Sequence, residues 1–213
     1  MPPPKAVEII QLLPSEFSTL ELGLTKTGLI SAMNDTSNHA GGTIFAPSNF
    51  AFQKLGPRIN GFLFSQYGQK YLKALLKYHV VANQTLYSDA YYTHDGVSET
   101  RIPKGYFHVR STFFYLNLGT NSFAKIDLPT LLKDKSLSID VARYGRLISI
   151  KLNGFSRVTI EDGIAKDGVI HVVSNVLIPP KPVGGMKQEW QGEEMSEEDL
   201  MERLDPYVEY DEL

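Results

Sequence analysis

Cysteine is absent from the 213-residue chain, and tryptophan occurs once. Without cysteine the protein has no disulfide bond and no Cys-ligated zinc site, and it cannot use thiol catalysis. The absence of cysteine does not decide between an intracellular and an extracellular location, because a domain with a full hydrophobic core needs no disulfide. No apolar run approaches the length that spans a bilayer. The first residues, MPPPKAVEII, lack the uninterrupted apolar stretch of a signal peptide, so a secreted form would correspond to a mature domain with an added Met.

Motifs for catalysis and for metal binding are also missing from the sequence. There is no GxSxG motif, no catalytic pair of carboxylates and no histidine spacing of the HxxH or HExxH type. We therefore predict that the protein is not an enzyme and that it has no catalytic residue, no cofactor and no metal site. Only a Ser–His–acid arrangement within hydrogen-bonding distance in a cleft would favour a hydrolase.

Charge is distributed unevenly along the chain. Residues 181–213 contain 11 acidic and 3 basic residues, a net charge of −8, whereas residues 1–180 contain 13 acidic and 18 basic residues, a net charge of +5. We predict one domain over residues 1–180 and an acidic tail with a short helix over residues 181–213. Two alternatives remain open for the tail: a solvated segment, or a segment that docks on its own body or on a basic partner.

The order of the hydrophobic patterns predicts helices first and strands later. The stretch TIFAPSNFAF, residues 43–52, changes from a β-favouring run to helical spacing at Pro47, which cannot continue a sheet ladder. Apolar and polar residues alternate over much of residues 137–178. Within them, Asn153-Gly154 is typical of a two-residue hairpin turn, in which both positions have positive φ. Together these patterns predict an α+β fold.

Between the predicted helical part and the predicted strand part lies a segment that is rich in aromatic residues. Apolar and polar residues alternate little in it. Residues 86–126 contain nine tyrosines and phenylalanines interleaved with arginine and lysine. Such rings can stack on nucleic-acid bases. Because no basic stripe and no nucleic-acid-binding motif accompanies them, we predict local packing and no nucleic-acid partner.

Three boxes of the sequence resemble those of the fasciclin domain family in order and spacing. They are TIFAPSNFAF (43–52), LKYHVV (76–81) and DGVIHVVSNVLIPP (167–180). The stretches FSTLELGLTKTGLISAM and LSIDVARYGRLISIKLNG also fit the layout of the family, so the resemblance covers about residues 6–180. The chain departs from the family in an aromatic-rich insertion, at about residues 93–125, and in the acidic tail.

The resemblance implies a wedge-shaped β-sandwich with a flanking helical lobe. It also implies a non-enzymatic module for cell adhesion or for contact with extracellular-matrix or surface proteins. In some animal members the Tyr-His box and neighbouring Asp-Ile motifs are linked to integrin binding. Here only Tyr78 and His79 match that box and no RGD is present, so the resemblance does not extend to integrin recognition.

Candidate partner-binding residues come from the Tyr-His box and from the aromatic segment: Tyr78, His79, Tyr91, Tyr92, Phe107, Phe113 and Tyr115. An alternative exists for His79, since a histidine in an apolar strand is commonly a buried, hydrogen-bonded core residue. We interpret the best-matching motif residues as structural: Phe45, Pro47, Asn49, Phe52, His171 and Asn175. The polar side chains among them should form hydrogen bonds with backbone groups where strands meet helices, because a buried polar group without a hydrogen bond costs about 1–3 kcal/mol.

Features of the secretory pathway are also present. Two N-x-Ser/Thr sequons make Asn34 and Asn83 candidate glycosylation sites. The C-terminal residues 210–213, YDEL, resemble the endoplasmic-reticulum retrieval signal, with Tyr in place of Lys or His. The alternative is an acidic tail that ends in Leu by chance. We predict a glycoprotein of the secretory pathway that is secreted or held at the cell surface, or is retrieved to the endoplasmic reticulum.

Two functions are compatible with these features. The first is a fasciclin module that binds a protein or glycan partner at the cell surface or in the matrix. The second is a ligand- or client-binding protein of the endoplasmic-reticulum lumen that uses the aromatic-rich segment as an apolar patch or cleft. The two functions differ in whether the rings of residues 87–115 face solvent.

Overall fold

A computed structural model describes residues 2–34, 41–88, 116–118, 121–144, 147–183 and 186–208. Within them the helices are α1 (Ala6–Leu12), α2 (Pro14–Lys26), α3 (Leu29–Asn34), α4 (Asn49–Lys54), α5 (Gly56–Leu63), α6 (Gln69–Tyr78) and α7 (Glu197–Leu204). The strands are β1 (Gly42–Pro47), β2 (Val80–Ala82), β3 (Leu116–Leu118), β4 (Asn121–Pro129), β5 (Ser136–Tyr144), β6 (Leu147–Leu152), β7 (Ser156–Ala165), β8 (Gly168–Val173), β9 (Lys181–Val183) and β10 (Met186–Gln188). No helix in these ranges is long and apolar enough to cross a membrane.

Eight strands form one mixed sheet in the order β2-β1-β8-β7-β6-β5-β4-β3. β1 and β8 pair in parallel, and every other neighbouring pair in this sheet is antiparallel. Six helices precede β3 along the chain, so the predicted α+β class is confirmed. The predicted β-sandwich is not confirmed, because the strands are linked by hydrogen bonds into one continuous sheet.

The strand-to-helix corner predicted at residues 43–52 is present. β1 ends at Pro47, and Ser48 caps α4 by accepting the Ala51 N–H at its side-chain oxygen, at 3.2 Å. Phe45 and Phe52 are buried on either side of this corner. Parallel pairing places Phe45 opposite His171 of β8, and their rings stack with centroids 5.6 Å apart. The first and third boxes are therefore neighbours in the sheet.

The hairpin predicted at Asn153-Gly154 joins β6 to β7. Both residues have positive φ, 51° and 69°, and the Phe155 N–H donates to the Leu152 carbonyl at 3.1 Å. This geometry is typical of the predicted two-residue turn. The predicted aromatic-rich insertion at about residues 93–125 includes residues 116–118 and 121–125, which belong to β3 and β4 of the main sheet. Residues 93–115 lie outside the described ranges.

The acidic tail docks on its own body over residues 186–208. α7 packs against α5 and α6, and its Leu200 and Leu204 are fully buried. An ion pair between Arg58 Nε and Glu197 Oε1, 2.9 Å long, also joins α7 to the body. Of the two alternatives for the tail, the structure therefore shows docking, because the apolar face of α7 packs against α5 and α6 of the same chain.

Candidate functional site

Tyr78 and His79, the predicted partner-binding pair, both lie in the core. Tyr78 is the last residue of α6 and His79 caps that helix, so the predicted strand begins only at Val80. The Tyr78 hydroxyl accepts a hydrogen bond from Asn153 Nδ2 at 2.9 Å and donates one to the Ser136 carbonyl at 3.4 Å. Burial raises the pKa of the Tyr78 phenol. Tyr78 therefore joins the end of α6 to the β6–β7 hairpin.

His79 is 2% exposed and uses both of its ring nitrogens in the fold. The Leu177 N–H donates to Nε2 at 2.9 Å, so Nε2 carries no proton. Nδ1 carries the proton and donates it to the Leu75 carbonyl at 2.9 Å. Burial lowers the pKa of His79 to about 4, against the smaller opposing effect of the Leu75 hydrogen bond. These contacts correct the prediction that Tyr78 and His79 contact a partner, since neither side chain reaches the surface.

His171 makes a second bridge of the same kind. Its Nε2–H donates to the Leu86 carbonyl at 2.7 Å, and its Nδ1 accepts the Asp162 N–H at 3.3 Å. Burial lowers the pKa of His171. Asp162, at a positive φ of 55° on β7, accepts hydrogen bonds from the N–H and the hydroxyl of Ser88. These bonds fix residues 86–88, at the start of the aromatic segment.

The two motif asparagines also form hydrogen bonds within the fold, Asn49 with backbone groups and Asn175 with the hydroxyls of Ser156 and Ser174. Asn49 Oδ1 accepts the Thr19 N–H at 2.9 Å, and Asn49 Nδ2 donates to the carbonyls of Pro14 and Ser15 at 3.3 and 3.1 Å. Asn49 thereby ties α4 to α2. Asn175, which is 9% exposed, accepts a hydrogen bond from the Ser156 hydroxyl at its main-chain oxygen.

The remaining predicted residues fall into two groups. Tyr91, Tyr92, Phe107, Phe113 and Tyr115 lie outside the described ranges, as do residues 210–213. Both sequon asparagines are described. Asn34 is half-buried at the end of α3, where its side-chain oxygen is enclosed, whereas Asn83 is exposed. Asn83 is therefore the more accessible of the two.

An apolar groove lies at the edge of the sheet formed by β2, β1 and β8, and it was not predicted. Its volume is about 210 Å³. Helices α1 and α3 form its other wall, and its lining comprises residues 6, 7, 29, 32, 33, 41–44, 80–82, 131 and 167–169. Among the described residues that line it, Asp167 is the only carboxylate, and it accepts the Ala6 N–H at 2.8 Å. Gly168, which lies in the lining, has to be glycine, because a Cβ there would lie 2.3 Å from the Gly42 carbonyl oxygen.

A second concave surface, which we name the lysine groove, has the opposite chemistry. It has a volume of about 300 Å³ and is lined by Lys26, Thr27, Gln66, Gln69, Lys70, Lys73, Ala74, Lys77 and Tyr207. Three of the lysines follow helical spacing on α6, and Lys26 ends α2. The lining contains four lysines and no carboxylate among the described residues. Sequence analysis did not predict this groove.

Groups of three or more His, Asp or Glu residues that could hold a metal ion do not occur in the described part of the chain. The polar motif residues near the sheet instead form hydrogen bonds within the fold, as described above. The two grooves differ in their lining, which is mainly apolar in one and rich in lysine in the other.

Comparison with known proteins shows the family and the fold. The model of the family described as "Fasciclin domain" matches residues 15–179. A Gibberella zeae protein described as "Aurofusarin biosynthesis cluster protein S" is 35% identical, over 91% of this chain and 49% of that protein. The chain therefore spans about half the length of this relative. The structure of a FAS1 domain pair from the insect cell adhesion molecule Fasciclin I is similar, with a TM-score of 0.60 and 19% identity over 83% of this chain and 51% of that one.

Proposed function

The chain belongs to the fasciclin domain family, and we propose from this membership that it is a non-enzymatic binding module. In this proposal it enters the secretory pathway and contacts a protein or glycan at the cell surface or in the extracellular matrix. Fasciclin domains are generally non-enzymatic, are typically related to adhesion, and are commonly extracellular or surface-associated.

The observation that carries this proposal is the use of the motif side chains within the fold. Tyr78, His79, His171 and Asn49 each have hydrogen-bond partners inside the domain. A general base or nucleophile needs a side chain that reaches a substrate. Since these side chains reach backbone and core groups instead, they support a scaffold whose outer surface does the binding.

The aromatic segment is the partner-binding surface in this proposal, through Tyr91, Tyr92, Phe107, Phe113 and Tyr115. Its support is the anchoring of residues 86–88, at the start of the segment, by His171 and Asp162. Tyr and Phe side chains supply large contact areas with few rotatable bonds. Tyr78 and His79 support this surface only indirectly, by holding the core.

The test captures partners from matrix extracts on the immobilised full chain. Replacing Tyr91, Tyr92 and Phe113 by Ser should abolish capture of the partners that the unmodified chain retains. The matched control is Tyr67→Ser, which removes an aromatic ring that is 83% exposed and outside the segment. Equal capture by the triple variant and by the control would contradict the assignment of the aromatic segment.

A second function, binding of an apolar small molecule, is favoured by the apolar groove. Concave apolar surface with few polar groups is typical of ligand sites. The name of the relative from Gibberella zeae also refers to a biosynthesis cluster. An apolar fluorescent probe should bind the full chain, and Ala32→Trp, which fills the groove, should remove that binding. Ser31→Trp, on the same helix but outside the lining, is the control. Unchanged probe binding in Ala32→Trp would contradict this function.

Two processing events belong to the same proposal. We propose glycosylation at Asn83 and Asn34, with Asn83 the more fully occupied because it is exposed, and retrieval to the endoplasmic reticulum through residues 210–213. Glycosidase digestion of the secreted protein, with Asn83→Gln and Asn34→Gln compared, tests the first. Localisation of the protein with and without its last four residues tests the second, and an unchanged localisation would contradict retrieval.

A further inference from the structure

The docked helix α7 covers a surface that belongs to the fasciclin domain itself. The family match covers residues 15–179, so it includes α5 and α6 but ends before α7. α7 nevertheless packs against both of these helices. We call the surface of α5 and α6 beneath α7 the α7 site. It is part of the family domain, whereas the helix that occupies it is an addition to that domain.

Two leucines anchor α7 in the α7 site. Leu200 and Leu204 are four residues apart, so they lie on the same face of the helix, and both are fully buried. Apolar anchors at this spacing are typical of an amphipathic helix that is bound in a groove. The contact therefore resembles the binding of a helical peptide to a preformed surface.

Polar contacts at both ends of α7 fix its position. Arg58 of α5 forms an ion pair with Glu197 in the first turn, with 2.9 Å between Nε and Oε1. Directly after the helix, Asp205 Oδ1 accepts a hydrogen bond from the Tyr71 hydroxyl of α6 at 2.7 Å. The α7 site thus contacts a carboxylate three residues before the first leucine and another directly after the second.

The way α7 is held allows another helix to compete with it. α7 has 8 residues, and isolated helices shorter than about 12 residues are marginally stable in water, so its folding depends on docking. A cleft of about 710 Å³ separates the residues before α7 from the body, and it is lined by residues 54–59 of the body and by residues 190 and 192–196 of the tail. The Arg58 side chain beside it is 71% exposed, and exposed ion pairs contribute little to stability.

We propose that the α7 site binds an acidic amphipathic helix of a partner protein and that α7 occupies it as an intramolecular competitor. The partner helix has two leucines four residues apart and carboxylates at the positions of Glu197 and Asp205. A tethered ligand acts at an effective concentration of about 1 mM, so the partner binds only by displacing α7. This proposal goes beyond the proposed function and involves neither the aromatic segment nor the apolar groove.

The test measures binding of a labelled peptide, with the sequence of residues 188–208, to the full chain by fluorescence anisotropy. The test variant carries Leu200→Asp and Leu204→Asp, which undock α7 and leave α5 and α6 unchanged. The matched control carries Leu12→Asp and Leu147→Asp, at leucines that are 71% and 75% exposed and lie outside α5, α6 and α7. A second peptide, in which both leucines are replaced by Asp, controls for binding through charge alone.

The test variant should bind the peptide saturably, and the wild type and the control variant should bind it at least about tenfold more weakly, because α7 competes in them. The peptide without leucines should not bind. Adding Arg58→Glu to the test variant should weaken binding roughly two- to fivefold, the factor expected for an exposed ion pair, and a peptide with Glu197→Arg should restore it. Equal binding by the test and control variants, or no binding by the test variant, would overturn the proposal.

The wild-type chain allows a second measurement that needs no substitution. Unlabelled peptide at about 1 mM, the effective concentration of the tethered helix, should displace α7 from about half of the molecules. Deuterium uptake of residues 197–204 of the chain should then rise, while that of β5 stays unchanged, with the peptide distinguished by its isotopic mass. Unchanged uptake of residues 197–204 would overturn the proposal even if the test variant does not fold.

Discussion

Acid should weaken the fold through His79, and the size of this effect follows from its contacts. Protonation of Nε2 would place a proton between the ring and the Leu177 N–H, which already donates to that nitrogen at 2.9 Å. The imidazolium would also be buried, with a side chain 2% exposed. The folded state therefore opposes protonation of His79 in two ways. Protonation breaks the hydrogen bond at Nε2, and it leaves a charge buried away from water.

The sign and the pH window follow from the two pKa values. His79 has a pKa of about 4 in the folded state and an ordinary value of about 6.5 when unfolded. Because the folded-state pKa is depressed, the unfolded chain takes up the proton first as the pH falls. The stabilisation is complete above about pH 6.5, declines between about pH 6.5 and 4, and is lost below that. One pKa unit corresponds to about 1.4 kcal/mol, so the free energy of unfolding should fall by about 2 kcal/mol by pH 5 and by about 3 kcal/mol by pH 4.

Urea unfolding of the wild type and of His79→Gln at pH 7, 5 and 4 measures this effect. The variant should be less stable than the wild type at pH 7, because it loses at least one of two buried hydrogen bonds. It should also lose less stability on acidification, by about 3 kcal/mol between pH 7 and pH 4. His171→Gln should change the acid dependence in the same direction, since burial also lowers the pKa of His171. An acid dependence that is as steep in His79→Gln as in the wild type would refute the reasoning.

Two further substitutions test the packing of the helical layer and of the tail. Asn49→Ala should lower the free energy of unfolding by about 1–3 kcal/mol without changing partner binding by the folded protein, and an unchanged melting temperature with lost binding would contradict its structural role. Gly192→Ala should destabilise the docked tail, because Gly192 has φ of 92° and its Cβ would lie 2.4 Å from the Phe155 ring. The fluorescence of Trp190, whose ring centre is 5.5 Å from that of Phe155, should shift to the red. Gly61→Ala, with open space around its Cβ, is the control and should leave the emission unchanged.

Features encoded by short stretches of sequence were predictable. The corner at residues 43–52 was predicted because Pro47 stops a sheet ladder and helical spacing follows it, both of which are local effects. The turn at Asn153-Gly154 was predicted for the same reason, since few other residue pairs adopt positive φ at both positions. The mixture of helices and strands followed from their periodicity. Long-range pairing, such as that of β1 with β8, was not predicted, because it joins two stretches that lie far apart in the sequence.

The Tyr-His box shows where local patterns mislead. The run Tyr78–Val81 is apolar and β-favouring, but the helical periodicity of α6 continues through Tyr78 and ends at His79. Helix formation prevails because Tyr78 is then buried beside the hairpin that supplies Asn153. The residue types were therefore consistent with either element, and a contact 75 residues away decided between them.

In the tail, net charge and the spacing of apolar residues favour different structures. A net charge of −8 over residues 181–213 favours a solvated segment. Yet Leu200 and Leu204 lie on one face of α7, and burying each fully contributes about 1.5–3 kcal/mol. Arg58 and Lys181 then form ion pairs with the acidic face. The apolar spacing of the short helix was a better guide to docking than the charge of the whole segment.

Recognition of a family and location of a binding surface depend on different residues of this chain. The boxes that identify the family contain Tyr78, His79 and His171, whose polar atoms are engaged inside the domain. A residue of this kind is constrained by folding, because a substitution leaves buried groups unpaired. The two grooves, by contrast, are built from residues of several distant elements, some buried and some exposed. Variation at their exposed positions, such as Lys26 and Ala32, costs the fold little. The partner or ligand of this chain should therefore be decided at such positions and in the aromatic segment, and not by the motifs that define its family.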